Sequence, residues 1–323
     1  MFRFAVIGRN FVVEDFLRAA AQVDEVQPFG VYSRHADTAE EFAAAHGLAR
    51  TYTHIDDLAA DPDVDFVYIA SPNLCHEAQA VALLHAGKHV LVEKPAAPTL
   101  DGFRRMQQAA KESGCVLMEA MMPSHMPALS FIRDCLPKIA PVRYASFPFC
   151  QYSSRYDKFK RGIIENAFDP TLGNGALMDI GIYPVQLMTA LFGQPNAIDG
   201  QCIFLPHSID GCGSMTAVYD DMLCSIRYSK ITDGDLACEI QGEHGCIRID
   251  RASRPRTVTC TFRNGAAQTF TTSDDVLDMT FELRDFVQIL CGRDAAPYQQ
   301  LTALSLAVTD TARQKMGIDF SKQ

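Results

Sequence analysis

The chain has 323 residues, enough for two domains with cores of their own. Hydrophobic content of 48% beside 21% charged residues is ordinary for a globular chain, and a formal net charge of −10 gives no electrostatic ground for binding nucleic acid or an anionic membrane, so a small molecule is the expected partner. The eleven cysteines are scattered, odd in number and contain no C-x-x-C pair, and no signal-like leader or apolar run of transmembrane length is read, so a reducing cytoplasm and no metal site are expected.

Phe4-Ala5-Val6-Ile7-Gly8, then Arg9-Asn10-Phe11 and an amphipathic run over 13–21, predict the first strand, turn and helix of a dinucleotide fold. In such a turn the amides at the helix start face a pyrophosphate, and glycine lets the backbone come close. Only Gly8 of the three-glycine fingerprint is kept, with Asn10 and Val13 in the other two places. Asn10 is expected to adopt a positive φ or to donate from its amide instead. A second strand over 26–31 ends in Tyr32-Ser33-Arg34. Folds that prefer NAD place an acid here for the adenosine ribose, whereas a hydroxyl and a guanidinium suit a 2′-phosphate, so NADP is expected in preference to NAD. The alternative for Arg34 is a rim residue or a partner for Asp37.

A helix over 39–46 closes on Gly47, and a short one starts at Ile55. Phe66-Val67-Tyr68-Ile69-Ala70 then reads as a buried parallel strand ending at Ser71-Pro72-Asn73, followed by a helix over 76–85 with Gly87 at a left-handed cap. His89-Val90-Leu91-Val92 is the next strand, with Glu93-Lys94-Pro95 at its carboxyl end. Strand, helix and strand form one βαβ unit, and ligands of open α/β sheets bind outside the carboxyl ends of strands. Ser71, Pro72, Asn73, Glu93 and Lys94 therefore point to one crevice. A lysine at a strand end is usually a solvated surface residue. Pro95 stiffens the backbone that aims this one, and its ammonium is suited to a substrate hydroxyl or carbonyl. His76, in the first turn of its helix, is taken as a neighbour of the cofactor, not as an acid or base.

GKHVLVEKP, preceded by ASPNLCHEAQAVALLHA, resembles the signature of the Gfo/Idh/MocA oxidoreductases. The resemblance implies an α/β protein: an N-terminal Rossmann dinucleotide-binding domain over 1–121, and a C-terminal α+β domain over 122–323 that binds substrate and forms oligomers through a large, mostly antiparallel open sheet. The residues agree with that division. A helix over 100–113 and a strand over 116–120 complete the first domain, and Met121 to Pro127 is the crossover, where His125 either reaches the cleft or caps a helix over 128–136. Eight short, turn-bounded runs follow between 142 and 271, then helices over 275–290 and 299–316. An open sheet leaves a face to cover, so a homodimer or homotetramer is expected.

Gly173-Asn174-Gly175-Ala176-Leu177-Met178-Asp179-Ile180-Gly181-Ile182-Tyr183-Pro184 resembles the family's second signature, with Tyr where many sugar and inositol dehydrogenases carry His. On a helix Asp179 and Tyr183 would share a face, although Pro184 disfavours helical geometry at Tyr183. Taken alone, Tyr183 reads equally as a core aromatic. The resemblance, closest to dihydrodiol dehydrogenase and glucose-fructose oxidoreductase, implies that Tyr183 exchanges a proton with the substrate oxygen, with Lys94 as its electrostatic partner and Asp179 as a positioning group. A phenol, with a pKa of about 10, needs such a neighbouring ammonium to serve near neutrality. The polar, aromatic segment 151–160 either lines the substrate side or is a solvated loop. The expected activity is hydride transfer between a nicotinamide cofactor and a secondary alcohol or carbonyl of a sugar, cyclitol or diol. The alternatives are a catalytically silent NAD(P)-binding sensor and, more distantly, a hydrolase that uses bound NAD transiently.

Overall fold

The computed structural model of the chain describes residues 1–320 and divides into two compact units, one made of 1–121 with 274–303 and one of 122–273 with the residues from 304 on. The first holds strands β1 (Phe2–Ile7), β2 (Val26–Tyr32), β3 (Arg50–Tyr52), β4 (Phe66–Ile69), β5 (His89–Glu93) and β6 (Leu117–Ala120). Between them run helices α1 (Phe11–Ala20), α2 (Ala36–His46), α3 (Ile55–Ala60), α4 (Asn73–His85) and α5 (Leu100–Ser113). Every pairing is parallel and the spatial order is β3-β2-β1-β4-β5-β6, a doubly wound sheet whose order reverses between β1 and β4. β4 and most of β5 are buried on both faces, which is why they read as continuous apolar runs. Gly47 and Gly87 take positive φ after their helices as expected, and Gly114 does the same after α5.

The second unit begins with α6 (Ala128–Ile139), β7 (Val142–Cys150), the short α7 (Tyr156–Lys160) and α8 (Ile182–Phe192). β8 (Ala197–Phe204), β9 (Asp210–Val218), β10 (Leu223–Ser229), β11 (Cys238–Gly242), β12 (Gly245–Ile249), β13 (Thr257–Phe262) and β14 (Ala267–Thr271) complete an eight-stranded sheet. Its order is β14-β13-β12-β11-β7-β10-β9-β8, antiparallel except for the β7–β10 pair. One face, with Ala145, Phe147, Met215, Ile226, Ile240 and Ile247, is packed into the unit's core. Pro127 occupies the N-cap of α6, so His125, itself buried, does not cap that helix.

The chain closes with α9 (Asp278–Leu290) and α10 (Ala296–Met316). The expected C-terminal domain over 122–323 is therefore interrupted, because 274–303 belongs with the Rossmann unit. The cause is local bonding and packing: Gln22, just past α1, accepts the Leu277 amide at 3.0 Å, and Phe286 of α9 sets its ring edge-on to Phe66 of β4 at 5.2 Å. A second correction concerns the apolar run. Residues 170–192 form a helical stretch with mean hydropathy 1.3, long and apolar enough by composition to cross a membrane, where no such run was expected. Of its most apolar window 72% is buried inside the protein.

Candidate active site

The β1–α1 turn is built around Gly8. Its φ is +109°, and a Cβ there would lie 2.7 Å from the Ala70 carbonyl oxygen at the end of β4, so only glycine lets these two strand ends approach. Asn10 takes over the start of α1: its Oδ1 accepts the amides of Val12 and Val13 at 3.0 and 3.2 Å, and its Nδ2 donates to the Ala70 oxygen at 3.4 Å. Its φ is −84°, so of the two alternatives it is the amide donation and not a positive φ that replaces the missing glycine. Arg9 and Phe11 are exposed beside it. At the end of β2, Ser33 shares a hydroxyl hydrogen bond of 2.8 Å with Thr38. Arg34 is exposed and makes no ion pair with Asp37 among the described residues; Asp37 instead accepts the Thr38 amide at 2.8 Å.

Ser71, Pro72 and Asn73 form the β4–α4 junction, half-buried, with the Ser71 hydroxyl donating to Gln79 at 2.6 Å. His76 is enclosed at this junction. It is only 1% exposed, with Nδ1 2.9 Å from the Pro95 carbonyl oxygen and Nε2 2.8 Å from that of Ser71. The ring braces the two loops against each other. Burial holds its proton affinity below the usual imidazole range, the Lys94 charge adds to that, and the two carbonyls oppose it.

Glu93 and Lys94 close β5. The Glu93 carboxyl accepts the Tyr68 hydroxyl and, at 3.2 Å, the Lys94 amide, while Tyr68 is stacked on Phe16 with centroids 3.7 Å apart. Burial raises the Glu93 carboxyl pKa, against the pull of the Tyr68 hydroxyl and the Lys94 ammonium. Two carboxyls that sequence reasoning missed lie behind it. Glu119 of β6 accepts the Ala96 amide at 2.8 Å and the Thr302 hydroxyl at 2.9 Å, and burial pushes it up to about 7. Glu282 of α9 is 1% exposed, neither carboxyl oxygen has a hydrogen-bond partner, and burial followed by Glu93, Glu119 and Asp278 raises it well above the carboxylate range. A carboxyl so placed is held as the neutral acid.

Asp179 and Tyr183 belong to the second unit. A wide helical turn, Leu177–Gly181, with π geometry leads into α8. Pro184 is the third residue of α8 and follows directly on that wide turn, so its missing amide hydrogen falls where the bonding changes from π to α, and the helix continues on both sides of it. The proline therefore does not break the segment, and both side chains stand half-buried near the helix start. Tyr183 meets Phe149 edge-on at 5.8 Å. Two residues from distant strands hold this start in place, and neither was foreseen. Asp210, 1% exposed, accepts the Leu177 amide at 2.7 Å, and burial raises its carboxyl to about 6 against that bond and the Lys230 charge. A Cβ on Gly175, whose φ is +149°, would fall 2.0 Å from the Asp210 Oδ1, so glycine is required there. Lys230, just past β10 and 3% exposed, pairs with Asp179 at 2.6 Å, donates to the Ala167 carbonyl at 2.8 Å and lies 4.8 Å from the Phe168 ring centre. A lysine directly after a buried strand is the one signal that could have found it, as it found Lys94.

The first unit's residues fit a dinucleotide. The crevice is at the switch point of a doubly wound sheet, Gly8 clears its floor, and the end of β2 presents Ser33 and Arg34 without an acid, which suits a 2′-phosphate. Comparison with known proteins agrees with this reading. Residues 2–121 match the oxidoreductase family with an NAD-binding Rossmann fold, and 149–248 match the GFO/IDH/MocA C-terminal domain. The chain is 39% identical to scyllo-inositol 2-dehydrogenase (NADP(+)) of Bacillus subtilis, over 99% of this chain and 98% of that one. It is 29% identical to trans-1,2-dihydrobenzene-1,2-diol dehydrogenase of Mus musculus over 74% of this chain and 68% of the relative. A 3-ketoreductase from Actinomadura kijaniata, solved with NADP and TDP-benzene, has the same fold, with a TM-score of 0.87 over 98% of both chains at 22% identity. Family signatures over both units and a relative matched end to end lead to one conclusion: the chain belongs to the GFO/IDH/MocA family of oxidoreductases.

Proposed function

We propose that the protein is an NADP(H)-dependent dehydrogenase or reductase that acts on a secondary alcohol or carbonyl of a cyclitol, sugar or diol, with Lys94, Tyr183 and Asp179 as its reacting and positioning groups. The observation that carries the proposal is Lys94 just past the carboxyl end of β5, on the same edge of the parallel sheet as Gly8 after β1 and Ser33 and Arg34 after β2. The relative matched over its whole length is named for scyllo-inositol and NADP, and the mouse relative for a diol, which supports the substrate class and the cofactor.

Gly8, Arg9, Asn10, Phe11, Ser71, Pro72 and Asn73 would hold the dinucleotide, with Ser33 and Arg34 on its 2′-phosphate. The bound nicotinamide gives or accepts the hydride. As a hydride leaves an alcohol carbon, the hydroxyl proton must leave too, and Tyr183 takes it; in reduction Tyr183 returns it to the carbonyl oxygen. The Lys94 ammonium stabilises the phenolate form and holds the substrate oxygen by charge-assisted hydrogen bonding. Asp179, paired with Lys230, acts as an acceptor that orients a substrate hydroxyl.

The outer face of the second sheet supports self-association. Strand register sets Tyr144, Leu223 and Val218 side by side, all exposed, with Ile203 exposed further along β8. A homodimer or homotetramer through that face would cover them. Eleven free cysteines support a reducing cytoplasm as the place of action.

The test is NADPH fluorescence on binding, followed by turnover over a panel of inositols, sugars and diols with NADP+ and of inososes and dicarbonyls with NADPH. Binding with turnover that is lost in Lys94→Met and Tyr183→Phe agrees with the proposal. Binding without turnover on any of them, unchanged by either substitution, would point to a sensor and overturn it.

A further inference from the structure

The turn that carries Lys94 is held at three successive residues. The Lys94 amide donates to its neighbour Glu93 at 3.2 Å, the Pro95 carbonyl meets His76 at 2.9 Å, and the Ala96 amide donates to Glu119 at 2.8 Å. The first two anchors come from the adjoining strand and helix. The third comes from β6 and is itself tied to α10 through Thr302 at 2.9 Å. We infer that Glu119 is a positioning residue for Lys94, fixing the turn through Ala96 and Thr302 and setting how much negative charge surrounds the ammonium. The inference rests on the catalytic role proposed for Lys94.

Glu119 suits this task because its two contacts survive a change of protonation. As a carboxylate it accepts from both Ala96 and Thr302. As a neutral acid it still accepts from Ala96, and the Thr302 hydroxyl, which can donate or accept, reverses its sense. What changes is charge. The charges of Glu93 and Lys94, from the end of β5, act on Glu119; Glu282 of α9 faces Glu93, Glu119 and Asp278, and His76 of α4 bonds the same turn. Glu282, buried without a partner, stays neutral. Glu119 is pushed by burial to about 7 and so changes charge near neutrality. Neutral, it adds no negative charge beside the Lys94 ammonium; ionised, it offers the ammonium an anion that competes with the substrate oxygen.

Glu119→Gln keeps an acceptor for Ala96 and a donor for Thr302 but cannot ionise, whereas Glu119→Ala removes both contacts. A displaced turn is expected to lower kcat by about 10- to 100-fold in Glu119→Ala, with the KM for NADPH changed by less than about threefold. Glu119→Gln should recover most of that kcat and lose the inflection near neutrality in the pH profile of kcat. A second readout needs no turnover: 13C reductive methylation, with the Lys94 resonance assigned by its loss in Lys94→Met. Removing a neighbouring anion should lower the Lys94 amine pKa in Glu119→Gln relative to the unaltered protein. An unchanged Lys94 titration together with an unchanged pH profile would overturn the inference, as would Glu119→Ala with full kcat. If Glu119→Ala does not fold, the Glu119→Gln comparison decides alone. Should the unaltered protein turn over nothing in the panel, the catalytic reading of Lys94 fails instead, and the methylation titration still reports whether Glu119 governs its charge.

Discussion

Gly175→Ala tests how the second unit presents Asp179 and Tyr183. The new Cβ would stand 2.0 Å from the Asp210 Oδ1, and the backbone is at φ +149°, which an alanine adopts only with strain. Strain of this kind costs about 1–3 kcal/mol. Relief of the clash requires the Asp210 carboxyl to swing away from the Leu177 amide it now accepts at 2.7 Å, and a buried hydrogen bond to a charged group contributes about 1.5–3 kcal/mol. The two together give about 3–6 kcal/mol. Gly87→Ala is the control: φ is +83°, no atom lies within 4 Å of the added carbon, and only the left-handed backbone cost of about 1–2 kcal/mol applies. Differential scanning calorimetry at neutral pH reads both, and because a domain of this size loses about 2–4 °C per kcal/mol, Gly175→Ala should melt roughly 10 °C or more below the unaltered protein and clearly below Gly87→Ala. Its kcat should fall as well, since the strained start of the helix carries both side chains. Equal melting temperatures for the two variants would refute the argument that Asp210 and Gly175 are locked together.

Arg34→Ala should raise the KM for NADPH by about 10- to 100-fold, the loss of one charge-assisted phosphate contact, and leave the KM for NADH nearly unchanged; steady-state kinetics with both cofactors checks it. Lys230→Met removes the ammonium from a pair whose Asp179 side is one-third exposed, so solvent screens part of the loss and destabilisation of about 1–3 kcal/mol is expected, with lower kcat/KM, by denaturant melts and kinetics. Glu119 titrates at about 7 in the fold against 4.5 in the unfolded chain, so the fold favours its neutral form. That contribution is complete below 4.5 and is lost as pH rises through 7, by at most about 3 kcal/mol. Melting temperatures of Glu119→Gln and the unaltered protein should therefore agree at pH 4.5 and diverge, with Glu119→Gln the higher, by pH 8.

The Rossmann unit was legible wherever a segment was long and buried on both faces. β4, α4 and β5 announce themselves as apolar runs with a helical stripe between them, and the glycines after α2, α4 and α5 mark their ends. β3 went unread because it is three residues long and mostly exposed, and the first half of β8 because Asp199, Gly200 and Gln201 alternate with little apolar content. The return of α9 to the first unit left no mark in sequence, since it is decided by contacts such as Leu277 with Gln22 across the chain. The same holds for the site. Lys94 and Tyr183 stand in ordered motifs, whereas Glu119, Asp210 and Lys230 act through partners far away in sequence and sit in segments that read as ordinary strand ends. His76 was read from its place on the helix, and the carbonyls of Ser71 and Pro95 that hold its ring could not be read with it, because both belong to loops. The wide turn before α8 depends on Asp210 taking the Leu177 amide, which no local pattern encodes.

The central claim is that one ammonium and one phenol serve a single proton transfer coupled to hydride movement. It is tested most directly by a double-mutant cycle on single-turnover NADPH oxidation with Lys94→Met, Tyr183→Phe and the combined variant. Groups that act as a unit are strongly non-additive, so each single change should slow the step by about 1,000-fold or more and the combination should be little slower than the worse single variant. Two losses that simply multiply, or either single variant oxidising NADPH at the unaltered rate, would contradict the account.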